Sequence, residues 1–171
     1  RRRKAYVTSL LRVFGLTTDA QILDAFKDLD PQSFEYISAT LKKDPAKEAN
    51  ESYFEIYKRI RPGDLASIEN VRALIDAMFQ RLDRYDLSAV GRFKLNQRLH
   101  IADKRKKDGR LLDAEDMILI LKEIARLNTE QTAEPDDIDH LGNRRVRPVG
   151  ELLQGRLRVG FARQRRIIQD R

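Results

Sequence analysis

The 171-residue sequence contains no cysteine and two histidines, His100 and His140. The first absence excludes a disulfide framework, a thiolate zinc site and a cysteine nucleophile. So few histidines exclude a histidine-rich metal centre. No apolar run approaches the roughly 20 residues that a membrane-spanning helix needs. The four basic residues at the start are not followed by the long apolar stretch of a signal peptide. There is no Walker loop, no Rossmann fingerprint and no nucleophile elbow. The expectation is an intracellular, charged, soluble protein that carries no active site of its own.

Hydrophobic residues make up 41% of the chain and charged residues 36%. That apolar share suffices for a core in one domain or two small ones. The net charge of +7 is unevenly placed. Arg1, Arg2, Arg3 and Lys4 supply four positive charges, and nine arginines from Arg144 to Arg171 against Glu151 and Asp170 supply seven more. Ala5 to Asn143 therefore carries −4. A mildly acidic body with a basic C-terminal stretch suits a polyanion, most often nucleic acid; a merely solvated arginine face has the same composition. The absence of an initial methionine points to a piece of a longer protein.

Helical periodicity runs through most of the chain. Val7, Leu10, Leu11, Val13 and Phe14 form an apolar stretch stopped by Gly15. Thr18 starts a second helix, with Gln21 completing a capping-box pattern; its face is Ile22, Leu23, Phe26 and Leu29, and Pro31 is expected to end it. Gln32 to Lys43 presents Phe34, Ile37 and Leu41. A fourth helix presents Tyr53, Ile56, Tyr57 and Ile60 and breaks at Arg61-Pro62-Gly63-Asp64. Ser67 caps a helix whose stripe, Ile68, Val71, Leu74, Ile75, Met78, Phe79 and Leu82, reads as packing rather than a cofactor lining. Asp86 is placed as the cap of a helix to Leu99 with Leu87, Val90, Leu95 and Leu99 inward and Gly91 a weak point. The run from Asp103 to Gly109 reads as a solvated loop or hairpin tip. Asp113 caps a helix with Met117, Ile120, Leu121, Ile124 and Leu127 as its buried face, and Asn128 to Pro135 is a polar connector.

From Asp136 the character changes. Asp136-Asp137-Ile138-Asp139-His140-Leu141-Gly142-Asn143-Arg144-Arg145-Val146-Arg147 crowds opposite charges into one segment, and Val149 to Asp170 reads as a long arginine-rich helix. Gly150, Gly155 and Gly160 recur every five residues, which advances a helix by about 140° and makes no stripe. They are read as points of close approach by another backbone or a nucleic-acid strand. Asp136, Asp137 and Asp139 have the chemistry for Mg²⁺, yet Arg144, Arg145 and Arg147 lie near enough to neutralise them. Capping, or pairing with those arginines, is the simpler account. His140 beside Asp139 has no nucleophile at a useful spacing, so a structural hydrogen bond is expected of it. The apolar residues of the last helix are scattered, which disfavours membrane binding. Arg144, Arg145 and Arg147 match phosphate oxygens bidentately, and an aspartate among them can read a base edge.

These residues resemble the β subunit of bacterial RNA polymerase. The Asp136–Arg147 segment followed by Val149-Gly150-Glu151-Leu152 and Arg158-Val159-Gly160 carries the likeness most strongly. Arg1-Arg2-Arg3-Lys4 with Val7-Thr8 and Leu10-Leu11-Arg12, Glu55-Ile56-Tyr57, Arg61-Pro62-Gly63, and the stretch from Arg84 to Arg92 extend it over the whole chain. The resemblance implies a β-lobe region at 1–135 and, at 136–171, the return of the chain through the protrusion toward the fork domain. The expected fold is mainly α, an irregular multi-helix lobe with minor β elements, ending in a long basic helix.

By the same resemblance, Ile138, Asp139 and Arg144 belong to a pocket that captures a nontemplate-strand guanine; Arg145 and Arg147 are expected as further nucleic-acid contacts on their phosphate-matching chemistry alone. No cofactor is expected in this segment; the Mg²⁺ of catalysis belongs to the partner β′ subunit. The implied partners are DNA, the β′, α, ω and σ subunits, and transcription factors docking on lobe or protrusion, with no membrane, in the bacterial cytoplasm or nucleoid. The alternative is a stand-alone helical module that binds nucleic acid or docks a transcription factor. Pro148, Gly155-Arg156-Leu157 and a short stretch between Asp30 and Leu41 depart from the family's usual pattern.

Overall fold

The computed structural model describes residues 4–101 and 109–170, so the Arg1–Arg3 cluster and residues 103–108 of the expected loop or hairpin tip lie outside the described residues. Two compact units are present, Arg1–Ala133 and Glu134–Arg171. The described residues form eight α-helices: α1 Val7–Val13, α2 Asp19–Ala25, α3 Pro31–Lys43, α4 Ala49–Ile60, α5 Ile68–Gln80, α6 Ser88–Arg98, α7 Ala114–Thr129 and α8 Val149–Gln169.

The expected minor β elements are a correction: no described residue is in a strand. Apolar residues recur at three- and four-residue spacing wherever there is a core to bury, and period-two alternation is missing. The longest described connector, 130–148, is almost entirely exposed and has no apolar face that a partner strand could cover.

The helix ends follow local chemistry. Thr18 and Gln21 make the reciprocal capping box at α2, Ser67 accepts from the Asn70 N–H at α5, and Asp113 does the same for Asp116 at α7. Gly15 and Gly63 have φ of 116° and 84°, the left-handed conformation that lets the chain turn out of α1 and α4. Pro31 starts α3 instead of ending α2. Its fixed φ and missing N–H suit the first helical position, and Asp30 caps it through the Ser33 N–H.

In the first unit α1 is shared by two cores. Leu11 joins Ile22, Phe26, Ile37, Leu41 and Met117. Leu10 and Val13 lie against Tyr53, Ile56, Tyr57, Val71 and Ile75. Phe14 meets Phe79 edge-on, with ring centroids 5.4 Å apart. Beneath α1, the buried Asp44 carboxylate accepts from Thr8, from Ser9 at 2.9 Å and from Arg12 at 3.1 Å. Arg12 also pairs with Asp19, so one guanidinium joins the end of α3 to the start of α2.

The inward faces of three helices need correction. Val90 is 70% exposed, and the buried residue of α6 is Arg92. Leu82 and Ile124 are also about half exposed. Asp86 does accept from the Ser88 N–H at 2.8 Å, but its carboxylate is turned to Arg110 across the connection to α7.

Candidate nucleic-acid interface

The second unit consists of the charged segment from Glu134 to Pro148 followed by α8. Its backbone is organised by its own side chains. The Asp137 carboxylate accepts from the Asp139 N–H at 2.9 Å, and the Asp137 carbonyl accepts from the Asn143 side-chain amide at 2.8 Å. The Asn143 N–H donates to the His140 carbonyl at 2.8 Å, closing a turn over His140–Asn143. The Gly142 N–H donates to His140 Nδ1 at 3.0 Å.

That turn brings together two of the residues singled out in the sequence. Arg144 Nη1 lies 3.7 Å from Asp139 Oδ1, and both side chains are mostly exposed. An exposed pair at this distance contributes little to stability and is easily exchanged for another partner. Ile138, 78% exposed, stands beside it without packing into a core. Arg145 is drawn elsewhere: its Nη2 donates to Glu151 Oε1 at 2.6 Å, in the first turn of α8. Glu151 was not among the expected site residues. Its contact crosses from loop to helix over six residues, a spacing with no sequence signature. Arg147 makes no hydrogen bond or ion pair with another described residue.

Thus the structure places Asp139 with Arg144, leaves Ile138 open beside them, turns Arg145 toward α8 and gives Arg147 no partner among the described residues. Asp136, Asp137 and Asp139 do not converge: among the described residues no group of three or more metal-ligating side chains is placed to hold an ion. An aspartate paired with an arginine on an open surface can instead accept from the N–H groups of a base, while the guanidinium reaches a phosphate or a carbonyl edge.

No residue of α8 is buried. Five arginines, Arg156, Arg158, Arg163, Arg165 and Arg166, project from it among exposed Leu153, Leu157, Phe161 and Ile168. Among the described residues of the second unit, a Cβ built on Gly150, Gly155 or Gly160 meets no atom within 4 Å, so none of them makes the close approach expected at these glycines. None of the described helices is long and apolar enough to cross a membrane.

A family profile described as RNA polymerase Rpb2, domain 2, matches residues 1–147. The chain is 42% identical, over 99% of its length, to the DNA-directed RNA polymerase subunit beta of Dehalococcoides mccartyi. The corresponding subunit of Chloroflexus aggregans is 41% identical over 88% of the chain, and that of Clavibacter michiganensis 38% identical over all of it. The chain spans 13% to 15% of the length of these relatives.

Proposed function

This chain belongs to the RNA polymerase β-subunit family, and from that premise we propose that it is the part of a DNA-directed RNA polymerase in which nontemplate-strand DNA is handled. Residues 1–135 serve as the lobe, and 136–171 lead back through the protrusion. Asp139 accepts from the Watson–Crick edge of an unpaired guanine, whose N1–H and N2–H offer a carboxylate two charge-assisted hydrogen bonds. Arg144 frames the base, Ile138 packs against it, and Arg145 and Arg147 contact phosphates. Bond formation takes place elsewhere, on Mg²⁺ held by the β′ subunit. The assembly partners are β′, α, ω and σ, with transcription factors docking on lobe or protrusion, in the bacterial cytoplasm or nucleoid.

The observation that supports this reading is the Asp139–Arg144 pair at 3.7 Å on an exposed turn. Each partner already sits where a base can exchange for the other at little cost. The test is Asp139→Ala in the assembled polymerase, with open-complex lifetime measured on bubbles carrying guanine or adenine in the nontemplate strand. Loss of about 1–3 kcal/mol on the guanine bubble alone is expected. An identical response of both bubbles would remove the role.

A further inference from the structure

His140 lies between the two residues of the proposed pocket yet takes no part in it, and its geometry is specific. Its Nδ1 accepts the Gly142 N–H at 3.0 Å. The ring also lies against the bare face of Gly142. A Cβ built there would stand 3.0 Å from Nδ1 and 3.2 Å from Cε1, closer than ordinary contact allows. A side chain at 142 would therefore require the imidazole to give by a few tenths of an ångström. The polar and the steric contact are two sides of one placement of the ring over Gly142.

The consequence falls on the neighbours. The His140–Gly142 contact and the Asn143 N–H to His140 carbonyl bond at 2.8 Å fix the same turn, and Asp139 and Arg144 are the residues immediately flanking it. We propose that His140 is a positioning residue: by holding the Gly142 N–H it sets the Asp139 carboxylate opposite Arg144 in the geometry that accepts a guanine. This inference rests on the guanine reading above. It adds that specificity depends on an acceptor at position 140 and on glycine at 142. Neither residue touches the base; both act through Asp139.

The acceptor requirement makes the role separable from packing. Asparagine at 140 keeps an oxygen that can accept the N–H two residues on, as in an Asx turn, whereas leucine keeps bulk and no acceptor. The experiment uses fully assembled polymerase carrying His140→Leu, His140→Asn, Gly142→Ala or Asp139→Ala in its β subunit. The readout is the ratio of open-complex lifetimes on guanine and adenine bubbles. His140→Leu and Gly142→Ala should lower the ratio by roughly 2- to 10-fold, the range for one lost hydrogen bond. His140→Asn should restore most of it, and the adenine lifetimes should stay near wild type. The proposal is overturned if His140→Leu leaves the ratio intact while Asp139→Ala lowers it. It is equally overturned if His140→Leu and His140→Asn behave alike, or if both bubbles lose lifetime together. Should Asp139→Ala leave the ratio untouched, the guanine reading itself falls and takes this inference with it.

Discussion

Arg92 grips both carboxylate oxygens of Asp116, at 3.0 and 2.8 Å, with both side chains essentially removed from solvent. Its other donors reach the carbonyls of Gly109 and Leu111 at 2.6 Å. The Asp116 carboxylate also accepts from the Asp113 N–H at 3.3 Å in the capping box of α7. One guanidinium therefore closes the connection between α6 and α7, where α6 buries no apolar residue and Arg92 is its only buried one.

Removing that cation from a buried carboxylate should cost about 3–5 kcal/mol. Arg92→Met is expected to lower the urea midpoint accordingly. Pairing it with Asp116→Leu, which replaces the buried ion pair by apolar groups, should recover much of the loss. A double variant no more stable than Arg92→Met would mean that the carbonyl contacts, rather than the charge pair, carry the effect.

A second buried node joins α1 to the end of α3 through Asp44, which accepts from Thr8, Ser9, Arg12 and the Ala46 N–H. Thr8→Val removes one neutral donor and should cost about 0.5–1.5 kcal/mol. Arg12→Met should cost several-fold more, because it strips the cation from the buried Asp44 and leaves Asp19 only the Lys47 ammonium at 3.7 Å. Denaturant midpoints of the two variants give the comparison directly. Equal losses would show that the hydroxyls alone satisfy the carboxylate.

Alkaline sensitivity should centre on the α4–α5 contact. The Tyr53 hydroxyl is pushed up to about 12 from its ordinary value near 10, chiefly by burial and then by donating to Asp76 at 2.8 Å. The folded chain thus holds this proton more tightly than the unfolded one. The resulting stability is complete below about pH 10 and is lost as pH rises toward 12. Tyr53→Phe cannot ionise, so its stability should decline less over that window. Unfolding free energies at pH 9 and pH 11.5 for the two proteins check this; parallel slopes would assign the decline to other groups.

Legibility in the sequence followed the range of each interaction. Thr18 with Gln21, Ser67 and Asp113 were readable as caps because donor and acceptor lie within three residues. Apolar spacing alone points Val90 inward, and the structure turns it out because Arg92 takes the buried position. Its partner Asp116 stands 24 residues away, beyond any local pattern. Proline after an apolar stretch signals a stop or a start equally well, and Pro31 is a start. At the candidate interface, crowding of opposite charge foretold some pairing. Which arginine met which carboxylate depended on the turn at His140–Asn143, set by hydrogen bonds that spacing does not encode.

The arginines of the second unit should differ in their response to salt. Arg145 is held by Glu151 at 2.6 Å, so part of its charge is already balanced, whereas Arg147 has no such partner among the described residues. Each phosphate contact adds about 0.9 to the slope of log affinity against log salt. In the assembled polymerase, Arg147→Ala should lower that slope for promoter DNA by about 1. Arg145→Ala should lower it by less, since Arg145 must first leave Glu151. Glu151→Gln frees Arg145 and should steepen the slope, with tighter binding at low salt. Guanine discrimination should be unchanged in all three, because phosphate contacts carry no sequence information. Equal slopes for Arg145→Ala and Arg147→Ala, with Glu151→Gln silent, would mean that the Glu151 contact exerts no hold on Arg145 in the complex.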